Sequence, residues 1–115
     1  MLVIGDLNAY QQEDPIDALR ANGLVDLHDR GRQSASSESG GTEYTFVYYA
    51  QSGSLDHAFA TASLAADVTG ASIWHINADE PRFLDYNQEF NPKALYSADP
   101  YRSSDHDPVL IGIRK

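Results

Sequence analysis

Three short clusters hold the side chains of this 115-residue chain that could do chemistry. Gly5-Asp6-Leu7-Asn8 places an acid and an amide two positions apart, at the end of an apolar run. Leu55-Asp56-His57 pairs a carboxylate with an imidazole. Ser104-Asp105-His106-Asp107-Pro108 is the densest and stands just before the last apolar segment. Each also has a structural use, since Asp-x-Asn forms turns through its own backbone, Asp56 and His57 could cap a hairpin, and Asp-Pro punctuates loops. Together they suggest more. A rim that gathered Asp6, Asn8, Asp56, Asp105 and His106 would bring like charges close, and each would resist ionisation beside the others. A hard divalent cation relieves that repulsion. Oxygen donors with one or two carboxylates suit Mg²⁺, which keeps its waters and accepts phosphate oxygens. Structural zinc instead wants several His or Cys ligands. A metal, a base and an imidazole beside a phosphate are the parts of metal-assisted phosphodiester hydrolysis.

Elements must position these groups. Met1 to Gly5 reads as a strand buried on both faces, with Asp6 to Tyr10 as the turn after it. Asp14 as N-cap, Pro15 at the first helical position and Asn22-Gly23 at the end frame a short helix, with Ile16, Ala18 and Leu19 on its apolar side. Leu24 to Leu27 leads into a polar surface loop from Asp29 to Gly41. Thr42 to Tyr49 is aromatic and β-branched, hence a strand. Gln51 to Ser54 is expected to turn the chain, with Leu55 to Ala60 returning as the second strand of a hairpin. Ser63 to Val68 predicts one or two helical turns, and Ala71 to Asn77 a further strand. Ala78 to Tyr101 reads as a long loop with a helical turn, and Val109 to Ile113 as the final strand. If that last strand runs antiparallel to the first, Asp6 and Asn8 share a sheet edge with Asp105 and His106. Asp56 joins them if its strand runs the same way as the last. The class is α+β, mainly antiparallel strands with short helices.

Composition excludes several alternatives. At 42% hydrophobic and 22% charged the chain is globular rather than disordered. It has no cysteine, which removes disulfides, thiolate metal sites and a cysteine nucleophile. No apolar run reaches the roughly 20 residues of a membrane span. The net charge of −9 makes non-specific polyanion binding through Lys and Arg unfavourable. A phosphate ester bound here would need its positive charge from elsewhere, and a carboxylate-held metal supplies it. His75, Trp74, Asp79 and Glu80 read as structure or surface, and the seven tyrosines as packing rather than a base-stacking platform.

Gly5-Asp6-Leu7-Asn8-Ala9, Leu55-Asp56-His57-Ala58-Phe59 and Ser104-Asp105-His106-Asp107-Pro108-Val109 follow the order and approximate spacing of a known family. In these motifs the chain resembles the endonuclease/exonuclease/phosphatase superfamily, which includes deoxyribonuclease I and the abasic-site endonucleases. Tyr10 to Pro15, Trp74 to Pro81 and Pro100 to Ser104 further resemble the C-terminal halves of large secreted bacterial nucleases. The resemblance implies part of a four-layered α/β sandwich of roughly 250 residues, near the upper size for one core. Residues 1–115 would be the C-terminal half of such a domain, with the N-terminal half absent. The family's metal-binding Glu, an Asn near the start and a further catalytic His or Tyr belong to that other half. His28 and His75 sit in no matching motif, and His57 stands where many relatives carry an aromatic.

Carried over residue by residue, the resemblance implies that Asp6 orients or deprotonates the attacking water and Asn8 hydrogen-bonds the scissile phosphate. Asp56 would accept from the His106 ring, fixing its tautomer and keeping it cationic. His106 would bind a phosphate oxygen in the transition state. Asp105, with Asp6, would sit at the metal, Mg²⁺ with Mn²⁺ or Ca²⁺ as substitutes. The implied substrate is nucleic acid, DNA before RNA, and the implied location is extracellular or periplasmic. A fragment carrying half a site would have little activity alone. The strand opening at residue 2 has no partner upstream, so self-association is expected. The alternatives are a phosphatase or phospholipid phosphodiesterase of the same fold, or a non-catalytic remnant that binds a metal or a partner.

Overall fold

The opening apolar run forms β1 (Leu2–Asp6), and its partner is not the last strand. The structure, a computed structural model, describes residues 1–28, 43–84, 86, 89 and 91–115; the expected loop from Asp29 to Gly41 lies outside them. Three further strands and a helix complete the first half: α1 (Asp14–Ala21), β2 (Val25–Asp26), β3 (Phe46–Tyr48) and β4 (Gln51–Gly53). The second half contributes β5 (Asp56–Ala60), α2 (Ala62–Ala65), β6 (Val68–Ile73) and β7 (Val109–Ile113). Short 3₁₀ turns at Arg82–Leu84 and Lys93–Leu95 interrupt the long loop between β6 and β7. The fold is mixed α+β, with antiparallel pairing and two short helices among the described residues.

Strand β5 is the centre of a three-stranded sheet in the order β1-β5-β2, and both pairings are antiparallel. Leu55 to Ala60 therefore does not return as the second strand of a hairpin with the aromatic segment. That hairpin is β3–β4, with Gln51 to Gly53 as its second strand. Tyr49 and Ala50 make its turn, both with positive φ, at 46° and 62°. Two successive left-handed residues are what a two-residue hairpin needs to match strand twist. The sequence gives no sign of this, because neither residue is Gly, Asn or Asp. The expected strand Ala71 to Asn77 starts earlier and ends at Ile73, leaving Trp74 and His75 outside it. Strand β6 pairs with β7, so the last strand lies in its own two-stranded sheet rather than against the first.

Alternation along β5 decides what each residue meets, because successive side chains point to opposite faces. Ala58 and Ala60 are fully buried in a cluster with Leu27 and Ala65, against which Val68, Ala71, Val109 and Ile111 of β6 and β7 pack. Phe59 faces the other way, into a cluster with Ala9 and Ile16, flanked by Val3, Leu7 and Leu19. Small alanines on the first face let the β6–β7 sheet approach β5. The helix supplies Ile16 and Leu19 as expected, but Ala18 is exposed. Its N-cap is Glu13 rather than Asp14, and the Glu13 carboxylate instead accepts the Tyr10 N–H at 2.9 Å. Asn22-Gly23 closes it as expected, with Asn22 Nδ2 donating to the Ala18 carbonyl at 2.8 Å.

Candidate active site

Asp56 begins β5 on the same face as Ala58 and Ala60, the face that receives β7. The residues leading into β7 thus arrive beside it. His106 Nδ1 donates to Asp56 Oδ2 at 2.6 Å, a short charge-assisted contact joining residues 50 positions apart. Both side chains are largely buried, at 20% and 15% exposure. The contact fixes the ring: Nδ1 carries a proton, and Nε2 is the nitrogen left for a ligand. The Phe46 ring lies 4.6 Å from the imidazole centroid and supports its other side.

Asp6 is aligned directly opposite Asp56 in the β1–β5 register, so their side chains share one face of the sheet. Its Oδ1 accepts the Asn8 N–H at 2.7 Å, the turn expected of Asp-x-Asn, and Asn8 adopts φ 48°. Asp6 and Asn8 are exposed. Asp6 and Asp56 are thus set side by side, with His106 on Asp56 and the Asn8 N–H on Asp6, through β1–β5 pairing and not by the β1–β7 adjacency expected from sequence. Asp105 diverges from them. It lines a separate cleft with Phe46, Tyr48, Arg82 and Arg102. His57, on the opposite face of β5, is buried with Nε2 2.8 Å from the Ala9 carbonyl oxygen, a structural bond.

Sequence reasoning missed the groups that hold this arrangement. Asp107 is no loop punctuation: its Oδ1 accepts the backbone N–H groups of Ile76, Asn77 and Ala78 at 3.0, 2.8 and 2.9 Å. Its Oδ2 meets His75 Nδ1 at 2.8 Å. Burial pushes the Asp107 carboxyl up, but the N–H groups of Ala78 and Asn77, the His75 ring and the Ile76 N–H outweigh it and hold it below 3.8. Asn77 Nδ2 in turn donates to the His106 carbonyl at 2.8 Å. Thr45 is fully buried, and its Oγ1 accepts the N–H groups of Leu55 and Asp56, both at 3.1 Å. Its carbonyl takes the Asp107 N–H at 2.7 Å. A hydroxyl residue inside an aromatic strand segment was the available signal. Asp79 accepts the Tyr44 hydroxyl at 2.5 Å; that bond, burial and the nearby Asp79 and Asp107 charges push the phenol up to about 12.

A divalent metal is the group this carboxylate set suggests. Among the described residues no three or more His, Asp or Glu side chains gather to hold one. The set fits only an ion bound by one or two carboxylates, with water and phosphate oxygens completing its shell, and that is the habit of Mg²⁺.

A sequence model of the Endonuclease/Exonuclease/phosphatase family matches residues 1–106, and the chain belongs to that family. No curated protein and no solved structure matches it. Family members are typically hydrolytic enzymes, commonly use a divalent metal, and have the deoxyribonuclease I-like fold; membership implies phosphoester hydrolysis in general. No described helix is long and apolar enough to cross a membrane.

Proposed function

We propose that this chain carries the imidazole half of the active site of a Mg²⁺-dependent phosphodiesterase that hydrolyses nucleic acid, DNA in preference to RNA. The observation that carries the reading is the 2.6 Å Asp56–His106 contact with Asp6 in register beside it. Asp6 orients the attacking water and takes its proton. Asn8 hydrogen-bonds a non-bridging oxygen of the scissile phosphate. His106 donates from Nε2 to a phosphate oxygen as charge builds on it, while Asp56 holds Nδ1–H and so prevents the ring from turning. The water oxygen bonds to phosphorus, the P–O ester bond breaks, and the departing oxygen is protonated by solvent. A Mg²⁺ ion held by Asp6 would supply Lewis-acid stabilisation of the phosphate, while Asp105 faces the neighbouring cleft.

The resemblance to secreted bacterial nucleases supports an extracellular or periplasmic location, and the same resemblance makes residues 1–115 the C-terminal half of a larger domain. The chain alone is then a weak catalyst. Its uncovered face supports self-association. Ile4 and Leu2 alternate with half-buried Val3 and Gly5 along edge strand β1 and are 47% and 36% exposed, on the face that β6 and β7 cover further along the sheet.

Plasmid nicking by the purified chain with Mg²⁺ or Mn²⁺ tests the reading, beside His106→Ala and EDTA controls. Weak cleavage that both controls abolish is the expected result. Cleavage that survives His106→Ala refutes it. Hydrolysis of a phospholipid or an inositol phosphate in preference to the plasmid would assign the same site to another phosphoester.

A further inference from the structure

Beside His106, across the Phe46 ring, lies a cleft of about 220 Å³ bordered by Phe46, Tyr48, Arg82, Tyr86, Arg102 and Asp105. Two of the eight basic residues in a chain of net charge −9 meet there. Among the described residues that border it, Asp105 is the one carboxylate against two guanidinium groups. Arg82 is exposed, and no described carboxylate pairs with it. Arg102 is only 7% exposed, donates from Nη1 to the Asn77 carbonyl at 3.1 Å, and keeps a buried Nε–H with no acceptor among the described residues. A buried guanidinium left short of acceptors is costly unless something supplies one. Its backbone sits at φ 53°, a conformation that a non-glycine residue holds only when its surroundings enforce it.

The aromatic wall adds a second kind of recognition. The Phe46 and Tyr48 rings lie 6.1 Å apart and 16° from parallel, and Tyr48 is 52% exposed. Six of the seven tyrosines are exposed rather than packed, contrary to expectation from the sequence. Guanidinium groups and aromatic rings bordering one cleft form a site for an anion attached to a planar group.

We propose that this cleft holds the phosphate adjacent to the scissile one on a nucleic-acid strand, with Arg82 and Arg102 on the phosphate and the attached base against Phe46 and Tyr48. The assignment rests on the nucleic-acid reading of the His106 site and extends it by one unit along the strand. Phe46 belongs to both sites, touching the imidazole with its ring and lining the cleft, so the two lie one residue apart.

The test is binding of a fluorescein-labelled single-stranded octanucleotide, followed by anisotropy in EDTA across a salt series. Arg82→Ala should weaken binding about fivefold or more and lower the salt slope by about 0.7, the signature of one lost contact to single-strand phosphate. Lys93→Ala removes the same charge from an exposed turn outside the cleft and should do neither. Tyr48→Ala should cost about fivefold or more with the slope unchanged, because stacking releases no counterions. Arg102 is left intact, since its bond to Asn77 also supports the fold. If the chain binds the octanucleotide but Arg82→Ala behaves like Lys93→Ala, the cleft assignment is wrong and the nucleic-acid reading stands. If the unmodified chain binds no octanucleotide at any salt concentration, both fall.

Discussion

Asp107→Asn isolates the charge of a carboxylate whose side chain is fully buried. The amide keeps an acceptor oxygen for the N–H groups of Ile76, Asn77 and Ala78, and its Nδ2 can donate to His75 Nδ1 once that ring takes the other neutral tautomer, so geometry survives and charge is lost. A hydrogen bond to a charged group contributes about 1.5–3 kcal/mol and a neutral one about 0.5–1.5, so three bonds lose roughly 3 kcal/mol. Removing a buried charge returns part of that, leaving a net cost of about 2 kcal/mol. For a chain of this size the loss lowers the melting temperature by about 8 °C. Sign follows from linkage. The folded carboxyl is held below 3.8, so its contribution is complete above that value and disappears as pH falls through the lowered folded value. Urea unfolding followed by circular dichroism from neutral to acid pH should show the unmodified protein and Asp107→Asn converging below about pH 4. A difference under about 0.5 kcal/mol at neutral pH, or one that does not shrink on acidification, would refute this account of the Asp107 network.

Asp56→Asn should leave the fold intact but reduce phosphodiester cleavage by about 10²- to 10⁴-fold, as expected when the residue fixing a catalytic tautomer is neutralised. Nitrogen NMR of the His106 ring should show the Nδ1 proton lost, and an unchanged ring spectrum would count against the positioning role. Tyr44 should be the last tyrosine to ionise, near pH 12, in an ultraviolet phenolate titration, and Tyr44→Phe should remove that step. Because its folded value lies above 10.0, its contribution to stability is complete below about pH 10 and is lost as pH rises towards 12. Ala50→Gly should stabilise the β3–β4 turn by about 0.5 kcal/mol in thermal unfolding, since relief of a left-handed alanine exceeds the entropy that glycine adds to the unfolded chain. A lower melting temperature in that variant would show that the turn is not strained.

Local chemistry was legible in the sequence where it is local in space. Asp6-x-Asn8 forms its own turn, Asn22-Gly23 ends the helix, and Val109 to Ile113 is a strand because its pattern leaves no alternative. Pairing was not legible. Leu55 to Ala60 follows an aromatic strand closely enough to suggest a hairpin, yet its alanines and Phe59 suit a central strand covered on both faces. Tyr49-Ala50 hid the true turn because the left-handed pair carries none of the residues that favour it. At the site, the motifs singled out Asp56 and His106, and the two side chains meet at 2.6 Å. Asp107 and Thr45 went unseen because their partners are backbone groups, and backbone leaves no pattern in a sequence.

Thr45 has a consequence for when the site comes into being. One residue gathers the amide groups of Leu55 and Asp56 with its hydroxyl and that of Asp107 with its carbonyl. Asp56 is synthesised soon after it, but His106 follows 50 positions later, and closing a loop of that length precedes any gain from the contacts it brings. During synthesis the strands β1, β5 and β2 and both strands of the β3–β4 hairpin precede the imidazole, and Phe46 alone waits for its bridge to His106. The two carboxylates that share the sheet face are therefore present in the chain well before the imidazole that completes the arrangement.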